Sequence, residues 1–112
     1  MIIYHNPRCR KSRETLDLIK NKGLDPKIFE YLVNPLNESE LKEILKLLNM
    51  KAEDLIRKGE VIFKENYKGK DLSEGQWIKA MIDHPKLMER PIVVNGNKAI
   101  LGRPPENVKE LF

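Results

Sequence analysis

The first 32 residues change hydrophobic period twice, and this limits what the chain can fold into. Ile2-Ile3-Tyr4 is a continuous apolar run, as a strand shows when both its faces are covered. His5-Asn6-Pro7 breaks it. From Ser12 or Arg13 the positions Thr15, Leu16 and Ile19 follow a helical spacing, and Gly23 is a natural stop just past Lys22. Lys27-Ile28-Phe29-Glu30-Tyr31-Leu32 then reads as a second strand. Two strands joined through one helix by short connections form a β-α-β unit, and its strands run parallel.

The middle of the chain has a different character after Asn34-Pro35. Asn37 and Glu40 make a capping pair ahead of the stripe Leu41, Ile44, Leu45 and Leu48. A shorter helix is expected from Ala52 to Lys58, ended by Gly59. Val61-Ile62-Phe63 fits either a helix end or an extended segment. Ser73 and Gln76 cap a further helix with Trp77, Ile78, Met81 and Ile82 on its apolar face, and His84-Pro85 ends it. Strand character then returns. Pro91 to Val94 and Lys98 to Leu101 flank Asn95-Gly96-Asn97 as a hairpin. Glu106 to Phe112 reads as a short terminal helix with Val108 and Leu111 inward. This order implies an α/β fold: a thioredoxin-like four-stranded mixed sheet flanked by helices, with a helical insertion. At 112 residues, one domain over 1-112 is expected, with its core in 1-33 and 90-112 and the insertion in 34-89.

Composition removes several classes of function. Lys and Arg number 21 against 17 Asp and Glu, a net charge of +4. Glu38, Glu40, Glu43, Glu53, Asp54, Glu60 and Glu65 interrupt the lysines, so no long basic run exists for nucleic acid to follow. No apolar run nears the ~20 residues of a membrane span, and Met1 opens what reads as a core strand rather than a signal peptide. One cysteine excludes an internal disulfide, which points to a reducing, cytoplasmic setting. One Cys and two His form no metal-ligand cluster at a usual spacing.

The break between the first strand and helix carries the chemistry. Cys9, the only cysteine, lies there with Arg8, Arg10, Lys11 and Arg13. A helix start presents unpaired N–H groups and a positive dipole end. Both the helix end and the cations favour a thiolate. The bland alternative is a small inert buried residue; Pro7, Arg8, Arg10 and Lys11 are poor neighbours for one. Cys9-Arg10-Lys11-Ser12 has the form Cys-x-x-Ser. Without a second thiol, any adduct on Cys9 must be released by an external thiol. Ser12 is placed to donate to the thiolate or to cap the helix.

His5-Asn6-Pro7-x-Cys9-x-x-Ser12-Arg13-x-Thr15-Leu16 resembles the signature of the glutaredoxin-coupled arsenate reductases. That thioredoxin-fold family also includes the Spx-type transcription regulators. Leu55-Ile56-Arg57-Lys58, His84-Pro85, Arg90-Pro91-Ile92-Val93-Val94 and Gly102-Arg103-Pro104 extend the resemblance over nearly the whole chain. The chain departs from typical members by stopping at Phe112, where they run on. The resemblance implies that Cys9 attacks arsenate, that glutathione as co-substrate reduces the adduct, and that glutaredoxin clears the mixed disulfide. It implies anion-binding roles for Arg57, Arg90 and Arg103, a thiol-tuning role for His5, and a cis bond at Pro91. No bound cofactor is implied, no nucleic acid or membrane partner, and no more than a monomer. A planar guanidinium donates in pairs to tetrahedral oxyanions, which suits these arginines, although exposed solvated charge is the alternative for each. Two other functions share much of this pattern. One is an Spx-like regulator binding RNA polymerase, against which Ser12 counts because such proteins carry Cys-x-x-Cys. The other is a glutathione-dependent thiol reductase of another substrate.

Overall fold

The computed structural model describes residues 1–112. They divide into two compact units, Met1–Asn34 with Arg90–Phe112, and Pro35–Glu89.

The first unit is built on four strands: β1 (Ile2–Tyr4), β2 (Lys27–Phe29), β3 (Ile92–Asn95) and β4 (Lys98–Leu101). Their order across the sheet is β2-β1-β3-β4. β1 runs parallel to β2, with Ile3 opposite Ile28, and antiparallel to β3, with Ile3 opposite Val93. β3 and β4 form the antiparallel hairpin. Its turn has a positive φ of 64° at Gly96, which a residue without Cβ adopts at little cost. Helix α1 (Arg10–Asn21) buries Ser12, Thr15, Leu16 and Ile19, the i, i+3, i+4, i+7 face. Leu16 and Ile19 pack with Ile3, Val93, Val108 and Leu111 into one apolar layer. The terminal segment Pro105–Leu111 is a 3-10 helix rather than an α-helix. Its buried residues Pro105, Val108 and Leu111 recur every third position, the period that such a helix aligns on one side.

Two boundaries in this unit differ from the sequence expectation. α1 begins at Arg10, before Ser12. Cys9 is extended (φ −91°, ψ 121°) and its carbonyl already accepts from the Arg13 N–H at 3.0 Å, so Cys9 itself is the N-cap. β2 ends at Phe29, not Leu32, because β1 offers no further partner. The His5 N–H donates to Phe29 O at 2.9 Å, and the chain then turns back, with Val33 and Asn34 N–H donating to Glu30 O.

The second unit holds α2 (Glu38–Leu48), α3 (Val61–Asn66) and α4 (Glu74–Asp83). Both anticipated capping boxes form. Asn37 Oδ1 accepts from Glu40 N–H at 2.8 Å, and Ser73 Oγ accepts from Gln76 N–H at 3.2 Å. Asn49, with φ 57°, closes α2 in the left-handed conformation. Val61-Ile62-Phe63 opens α3, where Phe63 stacks on Trp77 with centroids 6.2 Å apart. The expected helix from Ala52 to Lys58 is reduced to a 3-10 turn, Ala52–Leu55. Ile56 leaves it to pair with Met88, and the Arg57 N–H donates to Leu87 O at 2.7 Å. Arg57 therefore lies on an extended strip, not on a helix. No helix is long and apolar enough to cross a membrane.

Candidate active site

The turn between β1 and α1 is shaped by Asn6. Its side-chain Oδ1 accepts from Arg8 N–H at 3.0 Å, and its carbonyl accepts from Cys9 N–H at 3.0 Å. Its own N–H donates to Ser12 Oγ at 3.1 Å. These bonds set Cys9 at the first turn of α1, where it is only 8% exposed. Burial by itself pushes the Cys9 thiol pKa up. The Ser12 N–H, the hydrogen bond and charge of Arg90, and the Lys11 N–H together outweigh burial, and the pKa falls below its ordinary value. Cys9 is the N-cap of α1 by its backbone, with no side-chain capping hydrogen bond, and the nearby N–H groups of Lys11 and Ser12 favour its thiolate.

Ser12 does something other than either expected role. Because α1 starts at Arg10, Ser12 is its third residue, fully buried, and it is the Ser12 backbone N–H that faces the sulfur. The hydroxyl instead bridges the Asn6 N–H and His5 Nδ1, the latter at 2.6 Å. His5 is 6% exposed. Burial lowers its pKa; Glu30 opposes this and Arg13 and Lys20 add to it, so the imidazole is held neutral over a wider range than a free histidine. His5 thus reaches the Cys9 turn through Ser12.

The arginines fall into three situations. Arg90 bonds the Cys9 sulfur, and its Nε is buried with no hydrogen-bond partner. Arg103 donates from Nη1 to the Arg90 carbonyl at 3.3 Å. Arg57 lies in the second unit, with Nη1 3.3 Å from Glu60 and Nε 3.8 Å from Glu89. The Arg90–Pro91 peptide bond is cis, and so is Arg103–Pro104, which had no sequence signal. Of the cations near Cys9 in sequence, Arg10 pairs with Glu14 at 2.8 Å and Arg13 donates to Pro7 O at 3.0 Å. All four of Arg8, Arg10, Lys11 and Arg13 are exposed.

Gly102, which reads in sequence as a strand breaker, has a packing role as well. Its N–H donates to Pro91 O at 2.8 Å. A Cβ on it would lie 2.7 Å from Thr15 Oγ1 and 2.8 Å from Pro91 Cγ. Only glycine lets β4's exit pass between α1 and the loop that carries Arg90. No three His, Cys, Asp or Glu side chains converge as a metal site would require.

A cysteine at a helix N-terminus with its pKa lowered, a cis Arg90–Pro91 bond and a β2-β1-β3-β4 mixed sheet flanked by helices together define a thioredoxin-like protein. More narrowly, the chain belongs to the ArsC family, whose model matches residues 4–111. It is 52% identical to the uncharacterized protein YfgD of Escherichia coli K12, over 97% of this chain and 93% of that one. It is 46% identical to the arsenate reductase of Haemophilus influenzae, over 100% and 98% of the two chains. The solved structure of the arsenate reductase from Vibrio cholerae matches with a TM-score of 0.94 at 43% identity, covering 99% of this chain and 96% of that one.

Proposed function

We propose that this protein reduces arsenate to arsenite in a reducing, cytoplasmic setting, with Cys9 as nucleophile, glutathione as electron donor and glutaredoxin as the partner that restores the free thiol. Arg90 carries this reading. One guanidinium hydrogen-bonds the sulfur, while its Nε is buried and unpartnered, a donor waiting for an acceptor. A tetrahedral oxyanion supplies such an acceptor beside the nucleophile. The identity to named arsenate reductases supports the choice of oxyanion.

The proposed cycle balances. The Cys9 thiolate attacks arsenic and one arsenate oxygen leaves as water. A glutathione thiolate attacks Cys9 Sγ, the sulfur–arsenic bond breaks, and its electron pair stays on arsenic, which passes from +5 to +3. Arsenite departs and Cys9 is left as a disulfide with glutathione. Glutaredoxin takes over that glutathione by thiol–disulfide exchange. In this scheme Arg90 and Arg103 offset the repulsion between two anions and the charge of the transition state. For Arg57 a further anion contact is what the family resemblance implies. His5, through Ser12, holds the turn that presents the sulfur.

The test is arsenate turnover with glutathione and glutaredoxin. Wild type should turn over and Cys9→Ser should not. Arg90→Ala should lose about 10²–10³ in rate, the scale for removing one preorganised charge donor. Arg103→Ala and Arg57→Ala should also be impaired. An inactive wild type overturns the arsenate assignment; activity of Arg90→Ala near wild type overturns the role of Arg90.

A further inference from the structure

The charge around Cys9 exceeds what the oxyanion chemistry uses. Between His5 and Glu14 stand four cations, Arg8, Arg10, Lys11 and Arg13, against one carboxylate, so this stretch holds most of the chain's net charge of +4. Arg10 is tied to Glu14 and Arg13 to the Pro7 carbonyl. The side chains of Arg8 and Lys11 are exposed and have no ion pair or hydrogen bond. They stand one residue before and two residues after Cys9, which is itself 8% exposed, so they bring unpaired positive charge to the turn that carries the thiol. The chain has no second cysteine, and the attacker must therefore come from outside.

We propose that Arg8 and Lys11 form a docking rim that selects a small, carboxylate-bearing thiol as the reductant of Cys9. This rests on the reading of Cys9 as a nucleophile released by an external thiol. Glutathione fits by charge, with two carboxylates on one ammonium and a further negative charge on its thiolate. The rim acts in the second step, when the thiolate attacks Sγ, a sulfur–sulfur bond forms, and the leaving group departs with the sulfur–leaving-group electron pair. Arg90 serves the oxyanion and the rim serves the thiol, so the two substrates are recognised by separate cations.

The test does not need arsenate. Cys9 is converted with 5,5′-dithiobis(2-nitrobenzoate) to its coloured mixed disulfide, and release of the dye by added thiols is timed. Glutathione, glutathione monoethyl ester, neutral 2-mercaptoethanol and cationic cysteamine are compared at equal thiolate concentration, each normalised to its rate with the free dye disulfide. The expected ranking is glutathione first and cysteamine last, with glutathione about tenfold ahead of 2-mercaptoethanol at low salt, the lower end of electrostatic steering. Arg8→Gln with Lys11→Gln should reduce that preference to within about twofold, and so should salt that brings the Debye length near ~3 Å. 2-Mercaptoethanol should react with wild type and the double variant alike. No charge ranking, or equal losses for glutathione and 2-mercaptoethanol, overturns the proposal. So does a double variant whose only loss is in the glutaredoxin-supported rate, since the rim would then serve an acidic protein face. If arsenate is not turned over but the ranking persists, the arsenate assignment fails and the rim stands.

Discussion

At the scale of single residues, the thiol is governed by groups that differ in how far they can be anticipated. The cations beside Cys9 are visible in the sequence, and so is the helix that follows. Arg90 is not visible in that way, because only the pairing of β1 with β3 brings the start of β3 to the turn after β1. The Ser12 contact was legible in position but not in chemistry, since a side chain and its backbone N–H share one letter. The distinction is measurable. The pH dependence of Cys9 alkylation should give an apparent pKa below the ordinary thiol value of 9.0. Arg90→Gln should move it up. Ser12→Ala should leave it low, because the N–H remains, yet cost about 1–3 kcal/mol of stability by stranding His5 Nδ1 and the Asn6 N–H. If Ser12→Ala raises the pKa as much as Arg90→Gln, the hydroxyl rather than the amide tunes the sulfur.

At the scale of elements, what was legible is what is settled locally. The capping boxes of α2 and α4 span three residues each, and the Gly96 turn needs only its own backbone freedom. What was misread depends on distant partners. β2 stops where β1 stops, and Ile56 abandons its helix for Met88. Glycines separate the two cases well. Gly75, in α4, has nothing within 4 Å of an added Cβ, so Gly75→Ala should raise stability by about 0.5–1 kcal/mol. Gly102→Ala must displace Thr15 or Pro91 and should cost about 1–3 kcal/mol. Urea midpoints moving in the same direction for both variants would contradict this account of the junction between β4, α1 and the Arg90 loop.

For the whole molecule, the two shifted groups tie stability to pH with one sign. His5 binds its proton less readily folded than unfolded, where its value is 6.5, so acid favours the unfolded chain. Its contribution is complete above pH 6.5 and is lost as pH falls through the lower folded value. Cys9 behaves alike at higher pH: its contribution is complete above the unfolded value of 9.0 and is lost as pH falls through its folded value. Denaturation midpoints should therefore rise with pH across both windows, and His5→Gln should flatten the slope below pH 6.5 relative to wild type. An unchanged slope in that variant would remove His5 from the explanation. The sulfur's place at the head of α1 also has a thermodynamic consequence. A thiolate completes the helix that carries Leu16 and Ile19 into the apolar layer, and a charge at that position contributes about 0.3–1 kcal/mol. Any bond from Sγ to another atom withdraws that charge. The free thiolate is then the form in which the protein is best folded, so the folding equilibrium itself draws each covalent state back toward the starting one.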